Sequence, residues 1–360
     1  MIIALLIILI TTVISLYDRK TKGNRGVILS FIIIAIFASL RYGYGSDYFE
    51  YLNNFEKLQY LKFGDDLSYL RLERGWNYLG MICRPIGFFG MIILLAIVEY
   101  FILCRFIIKY VTAPYHWMAV LCFTLNTNLM LVGLSMMRQF LAMCIILIAV
   151  DFIVQNKWIK ALITVVFASL FHTSAIICLP ICFFGFIDFN KWKQSSAIIF
   201  GLVIVVLYFS VAYLFADLAN NLMSVDEFSA YGTNYVESGE KTSLLSLPRI
   251  YELFLLFCVL FNFKKYNREE AIIAIVFAVG YIFNGFIAFA QMAGRLALYF
   301  TTFGIVCVPL VAKYAKDKTL ANIFVAIYIV FLTYRLLVFF NEPIWHSFLH
   351  YHTIFETNWQ

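Results

Sequence analysis

Apolar residues in this chain come in long uninterrupted blocks, and the polar residues are confined to short gaps between them. Neither a strict alternation of apolar and polar positions nor a narrow apolar stripe of one helix face repeats along it. Blocks lie near 1–17, 27–40, 86–104, 115–136, 138–154, 159–171, 174–187, 195–217, 248–263, 270–290, 294–312 and 319–340. Backbone N–H and C=O groups in a lipid interior find no water, so each block is predicted to be a helix. This predicts an all-α polytopic membrane protein with about twelve transmembrane helices. Several blocks fall short of the roughly 20 residues that a straight crossing needs. The pair around 159–187 is therefore open to a re-entrant or broken arrangement. The first block lacks a basic leader and a small-residue cleavage site, and reads as a retained helix.

The gaps set an orientation. The segment Asp18-Arg19-Lys20-Thr21-Lys22-Gly23-Asn24-Arg25 is strongly basic and is placed inside. Alternation then puts five more basic gaps on that side: Arg105 and Lys109; Lys157 and Lys160; Lys191 and Lys193; Lys264, Lys265 and Arg268; and Lys313, Lys316 and Lys318. Both termini are then external. Two longer external loops remain, about 41–85 and 218–247, and both suit short amphipathic helices lying on the membrane. The whole of 1–360 reads as one transmembrane domain.

Composition agrees. The chain is 63% hydrophobic and 13% charged, where soluble domains carry about 25% charge. The net charge of +6 sits mostly in inside gaps. It is a topology signal and not a footprint for nucleic acid. The eight cysteines lie mainly inside apolar blocks, without ligand spacing. His346, His350 and His352 cluster near the C-terminus without an HExxH arrangement, so no metal is expected. No phosphate-binding loop or dinucleotide fingerprint occurs, and no cofactor is called for.

What topology leaves unexplained is a set of cations on the outer side. Arg41 ends the second block, Arg138 sits in the tight fourth-to-fifth connection, Arg249 starts the ninth block and Arg295 lies at the outer end of the eleventh. Charges at membrane depth are costly and usually face a cavity or a partner. Guanidinium groups converging on one pocket would make an anion site; each alone could equally meet headgroups or an acid. Arg249 has Glu252 one turn away, which favours an ion pair. Arg41 opens Arg41-Tyr42-Gly43-Tyr44-Gly45-Ser46-Asp47-Tyr48-Phe49-Glu50-Tyr51, where two glycines permit a tight bend. Its tyrosines read either as interfacial anchors or as stacking faces for sugar rings. Asp47 reads as a turn cap, an arginine partner or a general base. His172, in Phe171-His172-Thr173-Ser174, reads as a structural histidine or as a base for a hydroxyl nucleophile. Glu99 is deep enough to pair with Arg105 or to mark a transport path.

The segments Arg41 through Asp47-Tyr48 and Tyr51; Met137-Arg138-Gln139-Phe140-Leu141-Ala142; Phe171-His172-Thr173-Ser174-Ala175 with Pro180; and Gly294-Arg295 with Tyr299 occur in this order over most of the chain. In them the chain resembles the EpsG-like, Wzy-type polymerases of bacterial surface polysaccharides, whether O-antigen of lipopolysaccharide, capsule or exopolysaccharide. The resemblance implies a GT-C-like membrane glycosyltransferase of the inner membrane. Such an enzyme joins oligosaccharide repeat units carried on undecaprenyl pyrophosphate at the periplasmic face, without metal, nucleotide sugar or ATP. It implies pyrophosphate binding by Arg41, Arg138, Arg295 and Arg249. It implies a base at His172 or Asp47, with sugar contacts from Tyr44, Tyr48, Tyr51, Gln139 and Tyr299. It implies as partners the lipid-linked oligosaccharide, membrane lipid and a chain-length regulator. An inverting displacement needs one base, and no close carboxylate pair is evident. An O-antigen ligase-like transferase and a flippase for lipid-linked oligosaccharides stay open beside it.

Overall fold

The computed structural model describes residues 1–67, 70, 72–223, 245–285 and 295–356. It is an all-α membrane protein whose chain divides into two compact units: 1–182 with 316–360, and 183–315.

In the first unit, α1 (Ile2–Ser15) is followed by the short α2 (Tyr17–Thr21) and by α3 (Arg25–Ser39). Next come strand β1 (Arg41–Tyr42), α4 (Tyr48–Leu58), α5 (Arg74–Ile82) and the long α6 (Gly87–Tyr110). A broken stretch follows as α7 (His116–Leu125), α8 (Thr127–Met130) and α9 (Val132–Ser135), then α10 (Met137–Val154) and α11 (Trp158–Ser169). The 3-10 segment Thr173–Phe186 leads out of this unit. After the second unit the chain returns as α17 (Lys318–Asn341) and strand β2 (His352–Thr353). Helix α10 is buried nearly all round, as its uniform apolarity requires. Ile3, Leu6, Leu9 and Val13 of α1 stay exposed as a lipid-facing row.

One end of this unit is basic. There Asp18 accepts hydrogen bonds from the Gly26 and Val27 N–H groups at 2.7 and 2.9 Å and meets His116 Nδ1 at 3.0 Å. Asp151 meets Lys109 Nζ at 3.0 Å, Arg105 at 3.6 Å and the Tyr110 hydroxyl at 2.6 Å. The other end gathers the N-terminal amine on the Leu349 carbonyl, and antiparallel β1–β2 pairing with Arg41 opposite Thr353. The expected Glu99–Arg105 pair does not form: Arg105 reaches Asp151, while Glu99 is buried in the packed face of α6. On a helix, positions six apart do not face each other.

The second unit holds α12 (Gln194–Met223), α13 (Leu247–Phe261), α14 (Arg268–Phe283), α15 (Leu298–Thr301) and α16 (Gly304–Tyr314). Asn267 and Glu270 close a capping box at the start of α14. Glu270 also takes Lys313 at 2.8 Å and the Tyr314 hydroxyl at 2.9 Å.

Among the described residues, five helices are long and apolar enough to cross a membrane, or seven if each of two bent pairs is one span. This measure does not by itself establish the expected dozen. The 115–136 block breaks by 74° at Asn126, whose side chain caps the Asn128 N–H. The 294–312 block bends by 45°, and the helices of the 27–40, 159–171 and 174–187 blocks are short. The segment about 41–85, expected to be an external loop, folds into two short amphipathic helices, α4 and α5, joined by a small core of Leu58, Leu67, Leu70 and Met81. Of the other expected loop, about 218–247, residues 224–244 lie outside the described residues, and with them Asp226, Glu227, Glu237 and Glu240.

Candidate active site

The site is assembled at the start of α10. Asn126 breaks the preceding block, so the chain turns through α8 and α9 and begins α10 with Arg138 already at the end of the bundle. Glu73 stands at the N-cap of α5 without capping it through its side chain. Its carboxylate is used elsewhere. One oxygen takes a guanidinium N–H of Arg138; the other accepts from the Thr173 N–H at 3.0 Å and meets His172 Nδ1 at 3.0 Å. Gly75 makes this meeting possible. Its N–H donates to the Leu170 carbonyl at 3.0 Å, and a Cβ there would lie 2.6 Å from that oxygen. Only a glycine lets α5 press against the turn that carries His172.

The carboxylate can only accept, so His172 Nδ1 is the donor to it, and Nε2 is the ring nitrogen that Glu73 does not engage. Arg138 Nε donates to the Tyr51 hydroxyl at 3.3 Å, and its guanidinium lies over the Tyr51 ring, 5.8 Å from the centroid. Trp76 backs that ring at 5.3 Å. The Glu73, Arg138 and His172 side chains keep 15, 22 and 26% exposure, so the cluster is sheltered yet reachable. Burial pushes the Glu73 carboxyl up. The His172 hydrogen bond, the Arg138 charge and the Thr173 N–H outweigh it and hold the group down at about 2. Glu73 is therefore an anion at every working pH.

Asp47 lies nearby, one turn before Tyr51 on α4. It stands at the N-cap of α4 but makes no capping bond through its side chain, which removes the turn-cap reading. Gly43 and Gly45 adopt φ of +60° and +120°, the bend expected of them.

The other predicted site residues are placed differently. Arg41 is 4% exposed, with its guanidinium on the Ala38 carbonyl and, at 3.4 Å, the Leu134 carbonyl. Tyr44 is enclosed by Phe37, Phe348 and Tyr351, and Tyr48 by Tyr42, Phe49 and Phe88. Gln139 and Tyr299 are also buried. All five residues expected to touch sugar are thus buried, Tyr51 among them at 6% exposure, and of the five Tyr51 stands beside Arg138. Arg249 and Arg295 belong to the second unit. Arg249 pairs with Glu252 at 2.5 Å, as its spacing predicts, and Asn284 donates to the same Glu252 oxygen at 2.8 Å. Arg295 is half-buried just before α15.

Sequence reasoning missed Glu73, the residue that joins Arg138 to His172. The run Glu73-Arg74-Gly75-Trp76 puts an acid, a cation, a glycine and an aromatic ring together between two apolar blocks. That composition was a signal, but its partners are 65 and 99 residues away.

A family model described as the EpsG family matches residues 25–353, from the first residue of α3 to the last of β2. The chain belongs to the EpsG family. Every residue of the cluster lies within the matched stretch. EpsG membership points, at a coarse level, to a glycosyltransferase-like polymerase in polysaccharide biosynthesis. No curated protein and no solved structure matches the chain.

Proposed function

We propose that this EpsG-family chain polymerises oligosaccharide repeat units carried on undecaprenyl pyrophosphate, at the external face of the inner membrane. The observation that carries the reading is the Glu73 carboxylate shared between Arg138 and His172. A lipid-linked donor needs no external energy source, because its diphosphate is the leaving group. The acceptor hydroxyl needs a base as it attacks the anomeric carbon. His172 Nε2 serves as that base, with the ring held in one tautomer by Glu73.

The charge balance suits the reaction. With neutral His172, the Arg138–Glu73–His172 group sums to zero. When His172 takes the acceptor proton the group becomes +1, as the departing diphosphate gains negative charge. Arg138 then stabilises that charge from a fixed position. Tyr51 holds Arg138 in place, and the polyprenyl tail lies among the apolar helices. The new glycosidic bond forms at the anomeric carbon as the bond to the diphosphate oxygen breaks, and one inverting displacement accounts for both. The basic end of the first unit supports a cytoplasmic assignment for that end, and so an external one for Arg138, His172 and the termini.

The test is reconstitution. Full-length protein in proteoliposomes is given lipid-diphosphate-linked repeat units, and products are sized on gels. A ladder of long chains is expected. Failure to lengthen the units, with transfer to a lipid A core acceptor instead, would replace polymerase by ligase. Movement of unaltered units between leaflets would replace it by flippase.

A further inference from the structure

The segment 45–47 is tied to the turn before α10 by a directional chain of hydroxyls. Ser135 Oγ accepts the Asp47 N–H at 3.1 Å and lies 2.8 Å from Ser46 Oγ. Ser46 Oγ donates to Asp47 Oδ1 at 2.9 Å. The carboxylate can only accept, so the single Ser46 proton goes to it. Ser135 must then supply the proton between the two serines. The order is therefore Ser135 to Ser46 to Asp47, and it allows no reversal while Asp47 is ionised.

Three further facts bear on this chain. Ser135 is fully buried, whereas Ser46 is exposed and Asp47 half-buried. Gly45 packs on Ser135 so closely that a Cβ would lie 3.2 Å from the Ser135 Cα, with φ at +120°. Asp47 makes no side-chain cap for α4. The fold thus holds this carboxylate away from the one use a helix start would give it. Among the described residues its Oδ2 has no hydrogen-bond partner. Ser135 is three residues before Arg138, and Asp47 is one turn before Tyr51, whose hydroxyl takes Arg138 Nε. The same two segments therefore deliver both the carboxylate and the guanidinium.

We propose that Ser135 and Ser46 are positioning residues that aim Asp47 at the hydroxyls of the acceptor sugar, leaving His172 as the base. A carboxylate presented by fixed donors, next to an aromatic ring, suits a neutral polyhydroxylated ligand and repels a diphosphate. The inference rests on the polymerase reading for the word acceptor, and its test does not depend on turnover.

The probe is the repeat-unit oligosaccharide freed of lipid and diphosphate by mild acid, titrated calorimetrically into full-length protein in nanodiscs. Inorganic pyrophosphate is titrated separately. Asp47→Asn, Ser135→Ala and Ser46→Ala are expected to weaken oligosaccharide binding by roughly tenfold, the range of one hydrogen bond to a charged group. Pyrophosphate binding should stay within about twofold. Ser46→Thr, which keeps the hydroxyl, should restore binding. In turnover, Asp47→Asn should raise the acceptor KM and change kcat little. Unchanged oligosaccharide binding in Ser46→Ala and Asp47→Asn would overturn the proposal. So would a large loss of kcat at constant KM in Asp47→Asn, which would make Asp47 the base. If Ser135→Ala does not fold, the exposed Ser46 pair of variants decides alone. Wild-type binding of the oligosaccharide without turnover would sink the polymerase reading and leave this one standing; absence of wild-type binding would sink this one.

Discussion

Helix α10 carries a carboxylate-centred cluster at each end, and the two differ in what brings them together. At its basic end Asp151 meets Lys109, Arg105 and Tyr110, all from the last turns of α6. At its other end Arg138 meets Glu73, which also holds His172. The first cluster joins the ends of two neighbouring helices. Its cations come from a gap that the basic-residue pattern reads as inside, and Arg105 is 57% exposed. Such a placement is what the basic-residue rule expects without any chemistry. The second draws on the segment 41–85, a helix start and the turn after α11, and keeps its members sheltered. The basic-residue pattern, which reads this end as external, does not account for a cation there. A charge that insertion explains needs no chemistry, whereas one that insertion opposes calls for a partner or a substrate.

That contrast breaks most sharply at His172. His172→Ala should lower polymerisation by about 10²–10⁴, the range for a lost general base, with protein levels in the membrane unchanged. A wild-type rate would erase the distinction between the two ends. Arg138→Ala should cost about 10²–10³ in rate, measured under saturating lipid-linked substrate. Arg138→Lys should recover little, because a point charge cannot serve both Glu73 and Tyr51.

Glu73→Gln should act through pH as well as rate. The folded-state pKa of Glu73 is depressed to about 2. Its ionised form therefore contributes stability at pH above its unfolded value of about 4.3, and that contribution is lost as pH falls through about 2. Wild type should accordingly lose part of its thermal stability between about pH 4.5 and 2. Glu73→Gln should start lower at neutral pH and lack that part of the acid dependence. Identical acid profiles would show that the carboxylate is not held by its partners. The smallest effect belongs to the opposite end of α10. Asp151→Asn should leave chain-length ladders within about twofold of wild type while lowering thermal stability by roughly 1–3 kcal/mol, since two cations lose their acid. A collapse of polymerisation in this variant would abolish the comparison.

The candidate site was legible in pieces. Arg138 and His172 stood out as a cation and an imidazole in gaps read as external, and Asp47 and Tyr51 through the bend with two glycines. Arg41, Tyr44 and Tyr48 stood out in the same way, and Gln139 and Tyr299 through the family resemblance; all five are buried, as is Tyr51. One-dimensional patterns place a residue at a membrane surface but do not say whether its side chain turns outward. Glu73 escaped notice because an acid in a polar loop is ordinary. Its importance comes from the Gly75–Leu170 contact, which no local pattern encodes.

Composition and the block pattern alone determined that this is a helical membrane protein, and which gaps carry its basic charge. Both follow from the solvent: lipid demands internally bonded backbone and tolerates lysine and arginine mainly on one side. The number of complete crossings, the break at Asn126 and the meeting of Glu73 with Arg138 and His172 were decided only by tertiary packing. They depend on where distant segments touch, and contacts 65 and 99 residues apart leave no periodic trace in the chain.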